Sequence, residues 1–371
     1  MRRASSGAVW VLLAAASVAR SEPLPRFPPG AVWNRDVSSA PLHPDSSTMI
    51  STLAGIGGFG FGRMQIDFSL RVARAAAGSP ARTIVAHPDG YYDPDCEAEG
   101  ASMPVPANAT IEGDGMSSLS CDNLNEDCHL LVEQDGILYE AYRVTEDSAT
   151  TLEAQCLAIW DLGLIYPPDG RGEHCTSADA AGFPMSALLF NADEIAASLA
   201  GDATGGGDVG HAIRFILPNP RMASDPSLGG EDGILYVRPA THAGGPSGPA
   251  GSVPYGARLR LRSDFPVSEY PAAVRVILHS FMRYGIVLAD GGNVALTAES
   301  DVYTTTKWAD LDIDSRVFDL TPGATPVSIS DFQVVDTGPR IPETYDCVPT
   351  SPIFLDNFES GDVTMWSSAV P

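Results

Sequence analysis

The sequence predicts a mainly β fold, a β-sandwich of jelly-roll type with one longer helix packed on it. Apolar and polar residues alternate with a period of two in many short segments, and clusters of Gly, Pro, Asp and Asn separate these segments. Many short strands with few helices are typical of such sandwiches. The candidate strands are residues 64–72, 83–86, 129–133, 137–144, 152–160, 184–190, 211–217, 234–239, 258–262, 285–289 and 294–297.

Two segments depart from this alternation and predict helices, a short one over residues 193–199 and a longer one over residues 270–284. Pro271 stands in the first turn of the longer segment, where its fixed φ suits a helix start. We expect this helix to pack across one face or end of the sandwich through an apolar stripe. The stripe consists of Val274, Ile277, Leu278 and Phe281.

The N-terminal residues have the tripartite pattern of a secretory signal. Arg2 and Arg3 precede an apolar run over residues 8–19, and a Pro-rich stretch follows Ser21. The run is too short to span a bilayer, so the pattern predicts a cleaved signal peptide over residues 1–21. A buried N-terminal helix is the alternative, but a capped turn would then be needed where the Pro-rich stretch begins. We therefore expect a soluble mature protein, secreted or held at the cell surface, with no integral membrane segment.

The cysteines agree with export, because six is an even number and pairing is the default in an oxidising compartment. Of the possible pairs we predict only Cys121 with Cys128, whose short polar loop closes easily. The absence of a CxxC motif argues against a zinc site built on these cysteines and against a thioredoxin-like redox site.

The chain is strongly acidic, with a formal net charge of −25. An acidic surface repels nucleic acid and anionic lipid headgroups, so neither is expected as a partner. Solubility is the simplest explanation of the charge. Hydrophobic residues make up 44% of the chain and charged ones 19%, a globular composition with enough apolar material for a sizeable core.

The chain divides into four parts by composition. After the signal, residues 22–60 are rich in Pro, Gly and Ser and predict a linker or an extended arm. The β-sandwich domain is expected over residues 61–335, and residues 336–371 form a turn-rich linker and a C-terminal tail. A GxGxxG pattern at residues 55–60 lacks the preceding strand of a dinucleotide site, so we predict no such site and no cofactor.

No standard catalytic signature is present, so candidates come from polar residues embedded in predicted strands. A tight hairpin at Asp135-Gly136 would make His129 and Tyr142 close to cross-strand neighbours. A histidine and a tyrosine near an arginine suit β-elimination from a uronic acid polymer. The structural alternative is that these residues satisfy buried hydrogen bonds. The candidate catalytic residues are His129, Tyr142, His211, Arg214, Arg238 and His242.

Alternation of side chains along a strand predicts which of these candidates share a face. Tyr236, Arg238 and His242 would share a face if their strand runs that far. His211 and Arg214 are three residues apart, so they point to opposite faces of a regular strand and cannot line one pocket without a bulge.

Arginines at every second position form a stripe in the strand at residues 258–262. The stripe consists of Arg258, Arg260 and Arg262. It could hold a carboxylated or sulfated ligand through bidentate hydrogen bonds. The alternative is that these arginines pair with the protein's own surplus carboxylates.

Weaker patterns leave further possibilities open, and the metal content is not predicted. One is a three-histidine metal site of His129, His211 and His242. Asp310, Asp312 and Asp314 resemble part of a calcium loop, but its glycine and closing glutamate are missing, which favours a solvated turn. Glu140 and Asp179 could serve as the paired carboxylates of a glycosidase.

Several motifs resemble those of a family of secreted bacterial proteins over roughly residues 83–310. The matching segments are Asp127-Cys-His129, Trp160, the TSADAAG segment at residues 176–182, the HAIR segment at residues 211–214, the RPATH segment at residues 238–242, Tyr284-Gly285 and Asp290-Gly291. The resemblance implies no particular activity. A C-terminal tail at residues 354–366 is similar to an F-x-D-x-F-E-S-G-D-x-x-x-W tail found on unrelated secreted proteins, and it implies an address or processing signal.

Together these patterns predict an exported protein that acts on or binds an extracellular polysaccharide, as a lyase or a hydrolase. The expectation of a polysaccharide rests on fold class and compartment. The alternatives are a non-catalytic surface or matrix-binding protein and a purely structural one.

Overall fold

The computed structural model describes residues 25–113, 119–121 and 127–350 of the 371-residue chain. The predicted signal peptide and the tail motif at residues 354–366 lie outside the described residues. Within these ranges, no helix combines the length and the apolar character needed to cross a membrane.

The described residues form short strands and four α-helices. The helices are α1 (Ser46–Gly55), α2 (Ala192–Gly201), α3 (Ala272–Arg283) and α4 (Val317–Leu320). The strands are β1 (Ile66–Leu70), β2 (Val72–Arg74), β3 (Ala81–Ala86), β4 (Ser102–Pro104), β5 (His129–Gln134), β6 (Ile137–Tyr142), β7 (Thr145–Glu146), β8 (Thr151–Ala154), β9 (Cys156–Asp161), β10 (Gly172–Glu173), β11 (Ile213–Leu217), β12 (Leu235–Tyr236), β13 (Arg258–Leu261), β14 (Ile286–Gly291), β15 (Leu296–Glu299), β16 (Phe332–Val334), β17 (Ile341–Pro342) and β18 (Val348–Pro349).

The largest sheet has six strands in the order β1-β15-β11-β14-β13-β16. Strand β11 runs parallel to β14 and antiparallel to β15, while β1 runs parallel to β15. The prediction of a mainly β protein is therefore confirmed. A jelly roll is not, because jelly rolls are antiparallel and this sheet is mixed.

Two four-stranded sheets, β2-β5-β6-β9 and β4-β3-β8-β7, pack against each other. Strand β5 alternates between two cores: Leu131 packs into the large core around the six-stranded sheet, while Leu130 and Val132 pack into a smaller core between the four-stranded sheets. Two further pairs, β10 with β18 and β12 with β17, complete the fold. His129 shares the Leu131 face of β5, which directs it toward the large core.

The two predicted helices correspond to α2 and α3. The stripe predicted for α3 is buried in full, and α3 packs against α2 and β13. Asn191 and Glu194 form a reciprocal capping box at the start of α2. The strand predicted over residues 184–190 is wrong, because this segment contains a 3-10 turn at Ser186–Leu188. It is buried throughout and apolar except for Ser186, and a short apolar run does not by itself distinguish a strand from other buried segments.

Residues 22–60, predicted to be a linker or an arm, belong to the core where the structure describes them. Met49, Ile50 and Leu53 bury one face of α1 against the large core, and Trp33 is buried in the same cluster. The high content of Pro, Gly and Ser predicted a linker, although a few apolar residues of this segment pack into the core. The described part of the segment is therefore integral to the fold.

The arginine stripe on β13 holds this N-terminal segment in place. Arg258 donates to the backbone carbonyls of Val32, Arg35 and Tyr284. Arg260 donates to carbonyls of residues 37, 38 and 40 and to the Gln333 side chain. Arg262 pairs with Asp264 and Asp331, which is the intramolecular alternative stated above. The guanidinium groups of Arg258 and Arg260 thus bind backbone carbonyls and the Gln333 side chain, and we do not assign them a ligand.

Three disulfides join the described cysteines: Cys96–Cys156, Cys121–Cys128 and Cys175–Cys347. The predicted Cys121–Cys128 pair is confirmed. The other two connect distant parts of the chain, with sequence separations of 60 and 172 residues.

Candidate functional site

A cleft of about 590 Å³ opens beside the carboxyl ends of the parallel strands β11 and β14. This is the position at which open sheets with parallel strands commonly place their sites, because the loops that follow such neighbours diverge there. The cleft is rich in tyrosines and carboxylates. Its wall residues include Tyr91, Tyr92, Asp93, Asp95, Asp127, Tyr142, Thr176, His242, Asp290 and Tyr345.

The TSADAAG segment, residues 176–182, organises the floor of this cleft. The carbonyl of Ala178 accepts a hydrogen bond from His129 Nε2 at 2.9 Å. The carbonyl of Ala180 accepts one from His242 Nδ1 at 2.7 Å. Between them, the carboxylate of Asp179 contacts Arg214. One short loop therefore holds two histidines and an arginine from three separate parts of the chain.

Arg214 and Asp179 form a buried ion pair beneath the cleft. The Nε and Nη2 atoms of Arg214 donate to Asp179 Oδ2 at 3.0 and 2.7 Å, and Nη1 donates to Thr297 at 2.9 Å. Burial, the largest influence, raises the pKa of Asp179, and the adjacent guanidinium opposes this rise. The Arg214 side chain is 2% exposed, so its role is to position the floor and not to contact a ligand directly.

Asp290, at the end of β14, is the titratable group best placed for chemistry. Its side chain is 28% exposed in the cleft, and its Oδ2 lies 3.8 Å from Arg214 Nη2. Gly291 N–H donates to the other oxygen at 2.6 Å. Burial and the neighbouring Asp179 carboxylate raise the pKa of Asp290 to about 7, with a smaller contribution from Asp127 and an opposing one from Arg214. A carboxyl group with this pKa can be protonated near neutral pH and donate that proton.

His129 lies under the cleft as a buried imidazolium. Its Nδ1 contacts Glu112 Oε1 at 2.9 Å, while Nε2 faces the Ala178 carbonyl. Burial, the largest single influence, would lower the pKa of His129, but the Glu112 carboxylate together with Asp127 and Asp290 raises it to about 9. Because both ring nitrogens face acceptors, both carry a proton in this arrangement.

A group of potential metal ligands occurs at this point in the described part of the chain. The ligand atoms of Glu112, Asp127 and His129 lie within 4.8 Å of one another. A metal ion would require the lone pair of His129 Nδ1, which is protonated and directed at Glu112 here. In this arrangement the group is a charge-assisted hydrogen-bond cluster.

His242 faces the cleft through one ring nitrogen. Its Nδ1–H donates to the Ala180 carbonyl, so Nε2 is the ring nitrogen left for a ligand. The ring lies 5.3 Å from that of Tyr345. His242 therefore presents one ring nitrogen to the cleft, next to an aromatic surface.

Two tyrosines form the facing aromatic surface. Tyr92 and Tyr142 stack with ring centroids 6.4 Å apart, and Tyr142 stands opposite His129 in the β5–β6 register. Burial raises the pKa of Tyr142 above its usual range. Tyr142 is thus a neutral hydroxyl at neutral pH and not a base.

The structure brings four of the six predicted site residues to the TSADAAG segment or the cleft: His129, Tyr142, Arg214 and His242. The predicted cross-strand pairing of His129 with Tyr142 is present.

His211 and Arg238 lie apart from this group. His211 Nδ1 donates to the Ala212 carbonyl at 2.7 Å, and Nε2 lies 3.7 Å from Glu194 Oε1. Burial lowers the pKa of His211 well below the usual value. Arg238 pairs with Glu173. The strand expected to align Arg238 with His242 ends at Tyr236, so their alternation does not extend that far. His211 precedes β11, so strand alternation does not govern it either.

The weaker patterns have local structural explanations. Glu140 is fully buried, and its two oxygens accept from the backbone N–H groups of Met185 and Ser186 at 2.9 and 2.6 Å. Asp310 accepts from the N–H of Lys307 and Asp314 from that of Arg316, as in solvated turns. The three histidines proposed as metal ligands bond to separate partners, and only His129 belongs to the potential ligand group among the described residues.

Sequence reasoning missed Asp127 and Asp290 as site residues, although both occur in the motifs that carry the family resemblance. A usable signal was present for Asp290. It is a carboxylate directly after the apolar strand segment 286–289 and before two glycines, which is where a strand ends at a sheet edge.

A second, more apolar cavity of about 340 Å³ lies under the N-terminal segment and is lined by Trp33, Trp160 and Tyr166. Its wall includes Arg238 but none of the perturbed carboxyl groups. We place the functional site in the tyrosine-lined cleft, because a pKa shifted toward neutrality marks a group suited to chemistry.

Comparison of the chain with known protein families, with curated proteins and with solved structures finds no match. The resemblance to a family of secreted bacterial proteins therefore stays a prediction.

Proposed function

We propose that this chain is an exported glycoside hydrolase that cleaves a neutral extracellular polysaccharide. The observation that carries the proposal is Asp290, whose pKa is raised to about 7 in a cleft that it shares with the exposed carboxylate of Asp127. Glycoside hydrolysis commonly uses two carboxyl groups, one as a proton donor and the other as a carboxylate.

The cleft wall suits a sugar chain. The apolar C–H face of a pyranose packs on an aromatic ring, and the stacked pair Tyr92 and Tyr142 offers such a surface. Tyr91 is held in place, because its hydroxyl donates to the Glu97 carbonyl at 2.6 Å. The carboxylates and His242 between the rings can bind sugar hydroxyl groups.

The charge of the cleft favours hydrolysis over β-elimination. Elimination from a uronate needs a cation to neutralise the substrate carboxylate. Among the described residues that line the cleft there is no arginine or lysine, whereas Asp93, Asp95, Asp127 and Asp290 all contribute to it. Tyr142 remains protonated, so it is a poor base for the elimination. An anionic polymer would be repelled.

In the proposed reaction, Asp290 donates its proton to the glycosidic oxygen as the bond from that oxygen to the anomeric carbon breaks. Asp127 accepts a proton from a water molecule, whose oxygen forms the new bond to the anomeric carbon. The net change is addition of one water across the linkage. Proton exchange with solvent returns Asp290 to its acid form and Asp127 to its carboxylate. Arg214 and Asp179 position Asp290 from below.

Export of the chain is part of the proposal and is supported by the three disulfides in the described residues. Disulfides persist in oxidising compartments and are rare in the cytosol.

The purified full chain, incubated with a panel of neutral and uronate polysaccharides, should release reducing ends from a neutral polymer. Asp290→Asn should lower the rate about 10²- to 10⁴-fold, the usual contribution of a positioned acid. Asp45→Asn is the matched control, because Asp45 is exposed and lies outside the cleft. Its rate should equal that of the unmodified chain.

Ultraviolet-absorbing unsaturated products from a uronate polymer would instead establish a lyase. Retention on a glycan without any product would establish the non-catalytic binding alternative. Either outcome contradicts the proposal.

A further inference from the structure

A second hollow, of about 470 Å³, continues the cleft on the far side of Asp290. Four residues line both hollows, namely Asp127, Ala180, Gly244 and Asp290. We name the first the tyrosine hollow, after Tyr91, Tyr92, Tyr142 and Tyr345, and the second the glycine hollow, after Gly244, Gly245, Gly291 and Gly292. Each is within the size range of ligand sites, roughly 300–1,000 Å³.

The two hollows differ in chemistry. Backbone and amide groups dominate the glycine hollow, where Asn219, Asn293 and the four glycines form much of the wall. Asn219 lies against Gly291, where a Cβ would be 2.6 Å from Asn219 Oδ1. Glycine at position 291 therefore leaves room for the Asn219 side-chain amide beside Asp290 at the end of β14.

Asn219 is available to a ligand. It is exposed on the rim of the glycine hollow, directly after β11 and Pro218. Within the described ranges its side-chain amide makes no hydrogen bond, while its backbone carbonyl is engaged by Met222 and Ser247. A fixed backbone with a free amide is well suited to bind a sugar hydroxyl.

We infer that the glycine hollow is a second sugar-binding subsite, across the scissile bond from the tyrosine hollow. This inference rests on the proposed function. An acid at the junction protonates the oxygen that links a sugar in one hollow to a sugar in the other. Both hollows are open to solvent, so a sugar chain can continue beyond each of them. The substrate class is therefore a linear neutral polysaccharide, and the action is of the endo type.

Binding of graded oligosaccharides tests this inference. The probes are cello-, xylo- and mannooligosaccharides of two to six residues, titrated calorimetrically into the full-length Asp290→Asn variant and, on ice, into the unmodified chain. For the series that binds, affinity should rise about tenfold or more between the disaccharide and the tetrasaccharide, as one or two added hydrogen bonds would give. If none of the three series binds, the inference is overturned.

Two substitutions separate the hollows. Asn219→Ala should abolish the gain with length and leave disaccharide affinity within about twofold, because the short probe is held by the tyrosine hollow. Tyr92→Ala should weaken probes of all lengths. Asn108→Ala, at an exposed asparagine outside both hollows, is the matched control and should change neither affinity nor melting temperature.

Failure of the inference and failure of the proposed function are distinguishable. Turnover of a polymer by release of only terminal mono- or disaccharides, with Asn219→Ala unchanged, would overturn the inference and leave the hydrolase intact. Length-dependent binding that Asn219→Ala abolishes, without turnover by the unmodified chain, would uphold two subsites and refute hydrolysis.

Discussion

The guanidinium of Arg214 donates two hydrogen bonds to a single oxygen of Asp179, from Nε at 3.0 Å and from Nη2 at 2.7 Å. The second Asp179 oxygen is left to accept the N–H of Ala181 at 3.1 Å. The same Nη2 also faces Asp290 at 3.8 Å. Arg214 therefore neutralises the buried Asp179 carboxylate. Asp290, 3.8 Å from the same guanidinium, keeps a raised pKa.

Removing one partner of this pair should strongly destabilise the fold. Arg214→Met leaves the Asp179 carboxylate buried without its cation, so we expect the free energy of unfolding to fall by about 3–5 kcal/mol. Urea unfolding of the purified chain measures this loss. Arg283→Met is the matched control, because Arg283 is 53% exposed and pairs with Asp36 and Asp208 at the surface. The control should lose about 1 kcal/mol or less, and equal losses would contradict the assignment.

Local sequence was sufficient for features that depend on short distances along the chain. The turn at Asp135-Gly136 sets the register that places His129 opposite Tyr142. The stripe of α3 follows from helical spacing, and Cys121–Cys128 closes a short loop. The mainly β character follows from the same local alternation.

The catalytic arrangement could not be predicted because it depends on long-range pairing. Asp290 reaches the cleft only because β14 pairs in parallel with β11, and the parallel neighbour of a strand cannot be read from its own sequence. The alternation rule also failed where strands stopped early. A shared face for Tyr236, Arg238 and His242 required a strand that runs through residue 242, and β12 ends at Tyr236.

The rate of hydrolysis should decline as pH rises through about 7. Asp290 acts as the acid and must carry its proton, and its pKa is raised to about 7. We expect kcat/KM to show an alkaline limb near this pH. In Asp290→Asn the residual rate should lack that limb, since the amide does not titrate. An alkaline limb that persists in this variant would assign the acid to another group.

Stability gives an independent check on the same carboxyl group. A folded-state pKa above the usual 3.8 means that the native state binds the proton more tightly than the unfolded chain does. The contribution of Asp290 is therefore most favourable below about pH 4 and is lost as pH rises to about 7. Replacing it with asparagine should flatten this part of the pH–stability curve. A curve of unchanged slope would refute the raised pKa.

The titration of His129 should depend on Glu112. In the unmodified chain the imidazole should titrate at about 9, as followed by its ring resonances in NMR spectra. Glu112→Gln removes the main stabilising charge, so burial should then bring the pKa of His129 down toward or below 6.5. The stability that the pair provides should be complete below about 6.5 in the unmodified chain and lost as pH rises through about 9.

A matched substitution serves as the control for the titration of His129. Glu153→Gln, on β8 and outside the cleft, removes a carboxylate without touching His129 and should leave its titration unchanged. If Glu112→Gln leaves the pKa of His129 near 9, another group holds the proton and the proposed ion pair is wrong.

The Cys96–Cys156 disulfide should support both the fold and the tyrosine hollow. Cys96 follows the wall residues Tyr91, Tyr92 and Asp95, while Cys156 begins β9. The bond closes a loop between residues 60 positions apart, so replacing both cysteines with alanine should lower the free energy of unfolding by about 4 kcal/mol. Loosening of the wall should also weaken oligosaccharide binding.

The Cys121–Cys128 bond, with a sequence separation of 7, is the control. Replacing both of its cysteines with alanine should lower the free energy of unfolding by only about 2.5 kcal/mol. Equal losses in unfolding experiments, or unaltered oligosaccharide affinity after loss of Cys96–Cys156, would show that the bond does not hold the wall in place.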